Sequence, residues 1–428
     1  MKFRSLIYPY LVFLGILFGL SFSKGNAESN SDSGSSFIGV CSQITRESKF
    51  YNPFSIHQEL MDSINAININ FTRAGFQWSA IHPTHAEWDW RVTDAVVASA
   101  KKNDINILAL ITGMPKELMK SPENAIELWI EFVDSLTVRY KEDIFHWEIW
   151  NEPNLRSGNY WPQDKLPDLF ATYTREAATI IRRNQPNATI LLGGLSTGRK
   201  ANPFGLWKSL FDLGVLDLVD GIAYHTYNYP GVELIDFNRQ ISELVSKYTS
   251  EKKEYWITEY GVPAIDSYEF PKFSYDAQSK SIMQSILVHW ATGGTRFFIF
   301  DLWDKQEFST NFSKEELKQN RNRFFGLMEK DKTPKPSYAA VRWLSLLLNE
   351  YEPLELQNRK DGVLIIVRNK KNGKRAYFSW GPKVQQELIE NKSDKKMSFF
   401  ETSEAQFNLD QVKSRTINMR SDDVLFWR

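Results

Sequence analysis

The sequence of 428 residues contains a single cysteine, Cys41. One cysteine cannot form a disulfide within the chain, and the metalloprotease pattern HExxH is absent as well. Because Cys41 lies inside the apolar stretch FIGVC, we predict that it is a buried strand residue and not a reactive thiol. These absences exclude sites with several cysteine ligands, and we expect neither a metal nor an organic cofactor.

The sequence also lacks an excess of either charge, since 52 lysines and arginines balance 52 aspartates and glutamates. A neutral chain is not typical of proteins whose main partner is nucleic acid, so we expect none. Aromatic residues, by contrast, are abundant at 14% and include 14 tryptophans. They indicate a large core, and alternatively some of them line a groove and stack on ligand rings.

Long apolar runs are absent except at the N-terminus. Lys2 and Arg4 precede the apolar residues 6–22, and small residues follow. This order predicts a secretory signal peptide over 1–27 and a flexible leader over 28–36, so we expect an exported protein that is periplasmic, secreted or at the cell surface. The alternative is an uncleaved anchor, because a run of about 17 residues borders on a membrane span. Only in that case do we expect contact with a membrane.

Eight apolar, strand-like runs alternate with helical patterns in the following part of the chain. The runs are 37–44, 67–76, 105–111, 144–150, 188–196, 221–227, 254–261 and 295–303. Most are continuously apolar, as expected of parallel strands buried on both faces. They predict an α/β fold with a (β/α)8 TIM barrel over 37–345. An open doubly wound sheet is the alternative, but the glycine-rich phosphate loop typical of it is absent.

The pattern changes after about residue 345. Short strand-like runs, separated by turn-forming and charged residues, occur at 363–369, 375–381, 396–401 and 424–428. They predict a small C-terminal antiparallel β-domain, sandwich-like, over 346–428.

Two glutamates occupy strand ends of the predicted barrel. Glu152 follows the fourth run in HWEIWNEPNL, and Glu259 ends the seventh run in YWITEYGVP. Catalytic side chains of such barrels lie at the carboxyl ends of the strands, and strands four and seven lie across the barrel mouth from each other. We therefore expect the two carboxylates to face each other over a bound ligand.

Opposed carboxylates are what the hydrolysis of a glycosidic bond requires. One must be protonated to give the leaving oxygen a proton, and the other must be ionised to attack the anomeric carbon. Arg73, near the end of the second run, is predicted to keep Glu259 ionised through a charge-assisted hydrogen bond. The alternative partner of Arg73 is Glu148, a glutamate of the fourth run that would point into the barrel.

The motifs WNEPN and TEYG resemble those of the retaining glycoside hydrolases of clan A. Within the clan they are most similar to family 39, in particular to its bacterial exopolysaccharide-type members, and next to family 5. The resemblance spans about residues 37–345. It implies that Glu152 is the general acid/base, Glu259 the nucleophile and Asn151 the ligand of a sugar 2-hydroxyl. By the same resemblance, His225 and Tyr227 flank the nucleophile.

Further side chains are predicted to bind the sugar. The resemblance implies that Trp303 is a platform under the substrate on the eighth strand. Tyr160 and Trp161, in the loop after Glu152, are predicted to stack on a sugar ring, and Trp78 to lie in the groove. With Glu152 and Glu259 as catalytic residues, the complete predicted binding set is Arg73, Asn151, His225, Tyr227, Trp303, Tyr160, Trp161 and Trp78.

The sequence therefore predicts an exported, monomeric retaining glycoside hydrolase that cleaves O-glycosidic bonds of a poly- or oligosaccharide by double displacement. Its two carboxyl groups are expected ~5–5.5 Å apart. The alternatives are a catalytically weak carbohydrate-binding protein and a transglycosylase on the same barrel. His82 in IHP and the first-strand sequence GVCSQ depart from the pattern of relatives in loops that form subsites, which leaves the sugar open.

Overall fold

The structure is a computed structural model that describes most of the chain from residue 36 onward. The described residues are 36–42, 53–83, 87–155, 161–162, 164–198, 201–227, 229–265, 274–307, 314–360, 362–381, 397–399 and 424–427. The predicted signal peptide and all but the last residue of the predicted leader lie outside them. Within the described part of the chain, no helix has both the length and the hydropathy to cross a bilayer.

Eight parallel strands close into a barrel in chain order, which confirms the predicted (β/α)8 fold. The strands are β1 Ile38–Cys41, β2 Phe71–Gln77, β3 Asn106–Thr112, β4 His146–Asn151, β5 Thr189–Ser196, β6 Gly221–His225, β7 Glu254–Tyr260 and β8 Arg296–Ile299.

Helices surround the barrel, and the longer ones bury apolar side chains. They are α1 Pro53–Ala66, α2 Trp78–Ile81, α3 Arg91–Lys102, α4 Ile126–Tyr140, α5 Leu166–Asn184, α6 Pro203–Asp212, α7 Glu233–Val245, α8 Tyr275–Ala291, α9 Lys314–Asn320 and α10 Pro336–Glu350. Short 3-10 helices, among them Arg321–Arg323, lie between these elements.

The barrel interior is filled below its carboxyl end. Side chains from seven of the eight strands form a buried cluster, namely Cys41, Phe71, Leu108, Leu191, Ala223, Trp256 and Phe298. The rings of Phe71, Trp256 and Phe298 contact one another with centroids 5.3 to 5.9 Å apart. Cys41 is buried and is not part of a disulfide, as predicted. The packed interior leaves the strand ends as the floor of any site.

The described C-terminal residues form a five-stranded antiparallel sheet in the order β12-β13-β11-β10-β9. Its strands are β9 Tyr351–Arg359, β10 Gly362–Asn369, β11 Arg375–Trp380, β12 Met397–Phe399 and β13 Leu425–Trp427. Phe378 and Phe426 pack on Trp343 of α10, and Phe378 also contacts Trp290 of α8. In the described residues the sheet packs on helices α8 and α10. The sandwich-like arrangement over 346–428 stays a prediction, because much of that range lies outside the described residues. Helix α10 runs through the predicted boundary after residue 345.

Candidate active site

The end of β4 places Glu152 through an unusual backbone conformation. Trp150 and Glu152 have φ angles of +76° and +45°, a left-handed region that non-glycine residues adopt at an energetic cost. The amide of Glu152 donates to the Gly194 carbonyl over 2.8 Å. A Cβ on Gly193 would lie 2.0 Å from the Ile149 carbonyl oxygen, so glycine is what lets β5 approach β4 here. The glycine pair of β5 thus helps to hold the turn that presents Glu152.

The end of β7 carries two inward-facing polar residues in succession. Regular alternation would turn Thr258 and Glu259 to opposite faces of the strand. The register of β7 shifts against both β6 and β8 near this point. Thr258 accordingly donates to Glu148 over 3.0 Å, and Glu259 reaches Arg73 over 2.6 Å. The irregular register therefore directs the second glutamate into the barrel mouth.

Arg73 of β2 is the hub of the site and is only 2% exposed. Its Nε donates to Glu148 over 2.5 Å, and its Nη1 donates to Glu259 over 2.6 Å. Its Nη2 donates to Asn151 Oδ1 over 2.9 Å. Both predicted partners of Arg73 are thus present at once, because the planar guanidinium serves several acceptors in a fixed geometry. Glu148 is fully buried and orients Arg73 from below.

Glu259 is held in its ionised form. Burial acts to raise the pKa of its carboxyl, but the charges of His225 and Arg73 and the hydrogen bonds from Tyr227 and Arg73 hold that pKa well below its ordinary value. Tyr227 donates its hydroxyl to Glu259 over 2.7 Å. Burial, and next the charge of Glu259, raise the pKa of Tyr227 far above its ordinary value, so the tyrosine remains a donor.

His225, at the end of β6, lies between the two glutamates. Its Nδ1 is 2.9 Å from Glu152 Oε1 and 3.8 Å from Glu259 Oε2. Burial acts to lower the pKa of His225, but the charge of Glu259 and the contact with Glu152 outweigh burial and raise it. The two carboxylates that the sequence placed on different strands therefore meet at one buried imidazole.

A cleft of about 540 Å³ opens above these residues. Both glutamates face it, together with aromatic, cationic and backbone groups. The lining residues are Glu152, Tyr227, Glu259, Gly261, Pro263, Phe300, Lys305, Arg321, Asn322 and Phe325. Of the predicted binding residues, Arg73, Asn151, His225 and Tyr227 are brought together with the glutamates.

The structure places three predicted sugar-binding tryptophans in the hydrophobic core and not among the residues that line the cleft. Trp78 is 1% exposed and packs on Phe132, while Trp161 is 2% exposed and packs on Trp150. Trp303 is 5% exposed, is not among the lining residues, and has Lys332 over its ring. These three tryptophans follow barrel strands in the sequence, but their indole rings point into the hydrophobic core.

Other aromatic and cationic side chains line the cleft in their place. Phe300, directly after β8, and Phe325 are the aromatic lining residues that the sequence interpretation missed, together with Lys305 and Arg321. The signal for Phe300 was its position at the end of an apolar run, whereas Phe325 carries no distinguishing motif. Tyr160 lies outside the described residues.

Comparison with known proteins gives one family match. The family described as "Cellulase (glycosyl hydrolase family 5)" matches residues 29–306, which include both glutamates and all eight barrel strands. No curated protein matches the chain in sequence.

Solved structures with the same fold include several glycoside hydrolases. A family 39 glycoside hydrolase from Bacteroides cellulosilyticus WH2 aligns with a TM-score of 0.65 at 16% identity, over 92% of this chain and 81% of that one. The GH5_18 enzyme of Streptomyces cattleya in complex with GlcNAc gives 0.55 at 14%, over 74% and 80%. Xylanase 10B from Thermotoga maritima gives 0.53 at 18%, over 74% and 97%. At these identities the likeness concerns the fold.

Proposed function

Because the chain belongs to the cellulase family of glycosyl hydrolases, family 5, we propose that it is a retaining glycosidase that cleaves O-glycosidic bonds of a poly- or oligosaccharide by double displacement. The observation that carries this proposal is the shared contact of Glu152 and Glu259 with His225 Nδ1, at 2.9 and 3.8 Å. The two contacting oxygens can be no further apart than the sum of these distances, ~6.7 Å. That bound excludes most of the wider range of carboxylate separations of inverting enzymes and is compatible with the ~5–5.5 Å of retaining ones.

In the first step, Glu259 attacks the anomeric carbon while Glu152 gives its proton to the leaving oxygen. The carbon–oxygen bond to the leaving group breaks, and a covalent glycosyl–enzyme bond to Glu259 forms. Arg73 and Tyr227 support the ionised nucleophile by donating to different oxygens of its carboxylate. The lowered pKa of Glu259 supports its role as nucleophile, since an ionised carboxylate is the attacking species.

In the second step, Glu152 takes a proton from water, and the water oxygen displaces Glu259 from the sugar. His225 touches Glu152 and holds its carboxylate in place through both steps. Because Asn151 Oδ1 already accepts from Arg73, its amide nitrogen is left to donate to the sugar 2-hydroxyl. The net result is cleavage with retention of configuration at the anomeric carbon.

An activated 2-deoxy-2-fluoro glycoside tests this assignment, because the fluorine slows breakdown of the glycosyl–enzyme. We expect mass spectrometry of the digested protein to find the sugar on the peptide that contains Glu259. Glu259→Gln is the matched control and should remain unlabelled. A protein that hydrolyses aryl glycosides but carries the label on another residue would contradict the proposed roles. Added alcohol acceptors in the same assay separate hydrolysis from glycosyl transfer.

We further propose that the enzyme acts outside the cytoplasm, on the basis of the basic and apolar N-terminal sequence. N-terminal sequencing of the mature protein tests this point. A first residue near position 28 supports cleavage and export, whereas an intact N-terminus supports the anchor.

A further inference from the structure

Two cationic side chains line the catalytic cleft that the proposed mechanism does not use. They are Lys305, in the segment after β8, and Arg321, in the 3-10 helix Arg321–Arg323. The other charged lining residues are Glu152 and Glu259, whose carboxylates contact His225 and Arg73. The cleft thus presents two further positive charges to whatever it binds.

Lys305 lies close to the reacting centre. Its Nζ is 4.5 Å from the ring centroid of Phe300, and that ring is 6.3 Å from the ring of Tyr227. Tyr227 in turn donates to Glu259 over 2.7 Å. The side chains of Phe300 and Tyr227 therefore lie between the ammonium group of Lys305 and the carboxylate of Glu259. Lys305 and Glu259 thus line the same cleft and are linked through Phe300 and Tyr227.

The positive charge of Lys305 is only weakly compensated by acidic side chains of the described residues. Its ion-pair partner among the described residues is Asp301, whose Oδ2 lies 3.7 Å away, too far for a hydrogen bond. Burial raises the pKa of Asp301 to about 6, although Lys305 acts to lower it, so part of this countercharge is lost in mildly acidic solution. Lys305 therefore keeps donors for a bound group.

Arg321 is exposed, and it forms no ion pair within the described part of the chain. It shares the cleft with Lys305, and the two segments are joined, since the amide of Lys305 donates to the Arg323 carbonyl over 2.8 Å. An unpaired guanidinium at a cleft wall is suited to a carboxylate, which it can bind through two parallel hydrogen bonds.

The segment that carries Lys305 is held firmly. Leu327 donates to the Asp301 carbonyl and Met328 to the Leu302 carbonyl, each over 3.0 Å. Asp304 forms a buried ion pair with Lys335 at 2.7 Å, and the same lysine donates to the carbonyl of Ala264, which lies four residues after β7. Side chains on a fixed backbone bind a ligand with less loss of conformational entropy than side chains on a loose loop.

We propose that the cleft contains a subsite for an acidic sugar, in which Lys305 and Arg321 bind the carboxylate of a hexuronic acid while its ring lies against Phe300 and Phe325. This inference rests on the proposed function and names the class of its substrate. The aromatic lining supplies the apolar surface that a sugar ring covers, and the two cations supply the recognition of charge.

Binding to an inactive variant tests the subsite without requiring turnover. Isothermal titration of Glu152→Gln would use oligosaccharide pairs that differ only at C6, namely oligoglucuronides against oligoglucosides, oligogalacturonides against oligogalactosides and oligomannuronides against oligomannosides. We expect the acidic member of at least one pair to bind roughly tenfold more tightly, with an advantage that shrinks between about 50 and about 500 mM salt.

Variants in the same background identify the residues. Lys305→Met and Arg321→Met should each remove most of the advantage of the acidic member and leave binding of its neutral counterpart within roughly twofold. Lys247→Met is the matched control, because Lys247 is exposed just after the end of α7, opposite the strand ends, and the substitution removes the same charge. Neutral members that bind as tightly as acidic ones in every pair, or no binding of any acidic member, would overturn the inference. Failure of the proposed hydrolysis would be seen separately, as an unlabelled wild-type Glu259.

Discussion

The imidazole Nδ1 of His225 lies 2.9 Å from Oε1 of Glu152, so a buried histidine is held directly against the proposed acid/base. Burial acts to lower the pKa of His225, but the charge of Glu259 and the contact with Glu152 raise it. A raised pKa means that the folded protein binds this proton more tightly than the unfolded chain does. Protonated His225 therefore stabilises the fold at low pH, and the stabilisation is lost as the pH rises through the raised pKa.

We expect the free energy of unfolding lost in His225→Asn to be larger at about pH 6 than at about pH 9. Urea unfolding at a series of pH values measures the difference. His289 gives the opposite sign and serves as a control, since burial lowers its pKa to about 4. The cost of His289→Asn should be smaller in mildly acidic solution than at neutral pH. A cost of His225→Asn that does not change with pH would contradict the raised pKa.

Arg73 connects the carboxylates of Glu148 and Glu259 with the amide of Asn151, and its removal should be costly. Arg73→Met leaves the buried carboxylate of Glu148 without its cation, for which we expect a loss of about 3–5 kcal/mol in unfolding free energy. Arg183→Met is the matched control, because Arg183 pairs with Asp134 at an exposed site. That substitution should cost less than about 1 kcal/mol. Equal costs for the two variants in denaturant titrations would show that Arg73 does not stabilise Glu148.

The hydroxyl of Tyr227 should set the acid limb of activity. Tyr227→Phe removes a hydrogen bond to ionised Glu259, so the pKa of Glu259 rises and the acid limb of kcat/KM moves to higher pH. We also expect kcat/KM at its optimum to fall about 10- to 100-fold. Tyr224→Phe is the control, since the Tyr224 hydroxyl bonds to Asn238 away from the cleft. An acid limb that stays in place in Tyr227→Phe would argue against this support of the nucleophile.

Gly193 allows β4 and β5 to come together beneath Glu152. An alanine Cβ at this position would lie 2.0 Å from a backbone oxygen, so the strands must separate. We expect Gly193→Ala to cost about 1–3 kcal/mol of stability and to lower kcat in the protein that remains folded. Gly214→Ala is the comparison, because Gly214 has a φ of +74° but nothing within 4 Å of an added Cβ. It should cost stability and leave kcat unchanged, as assays at matched folded fraction would show.

Much of the fold could be predicted from the sequence because strands buried on both faces give continuous apolar runs. Those runs located all eight barrel strands, and the motifs at two of their ends located Glu152 and Glu259. The resemblance to clan A retaining glycoside hydrolases is confirmed. The motifs placed family 39 before family 5, but the family model that matches is that of family 5. A family 39 enzyme is among the solved structures with a similar fold.

The walls of the cleft were predicted less well. Trp78 and Trp161 lie near strand ends in the sequence, but the direction of an indole ring depends on neighbours such as Phe132 and Trp150, which belong to other elements. Lys305 reaches the cleft because the segment after β8 is tied to residues 321–328, a long-range pairing that no local pattern encodes. Glu259 was the predicted partner of Arg73 and Glu148 the alternative, and only the three-dimensional arrangement shows that Arg73 binds both.

The double-displacement mechanism is tested most directly by the anomeric configuration of the first product, which proton NMR records before mutarotation. With an aryl or oligosaccharide substrate that the enzyme cleaves, we expect the new reducing end to appear first in the same configuration as the bond that was broken. Glu259→Ala with added azide should instead give a glycosyl azide of the opposite configuration. A wild-type product that first appears inverted would contradict the assignment of Glu259 as nucleophile and Glu152 as acid/base.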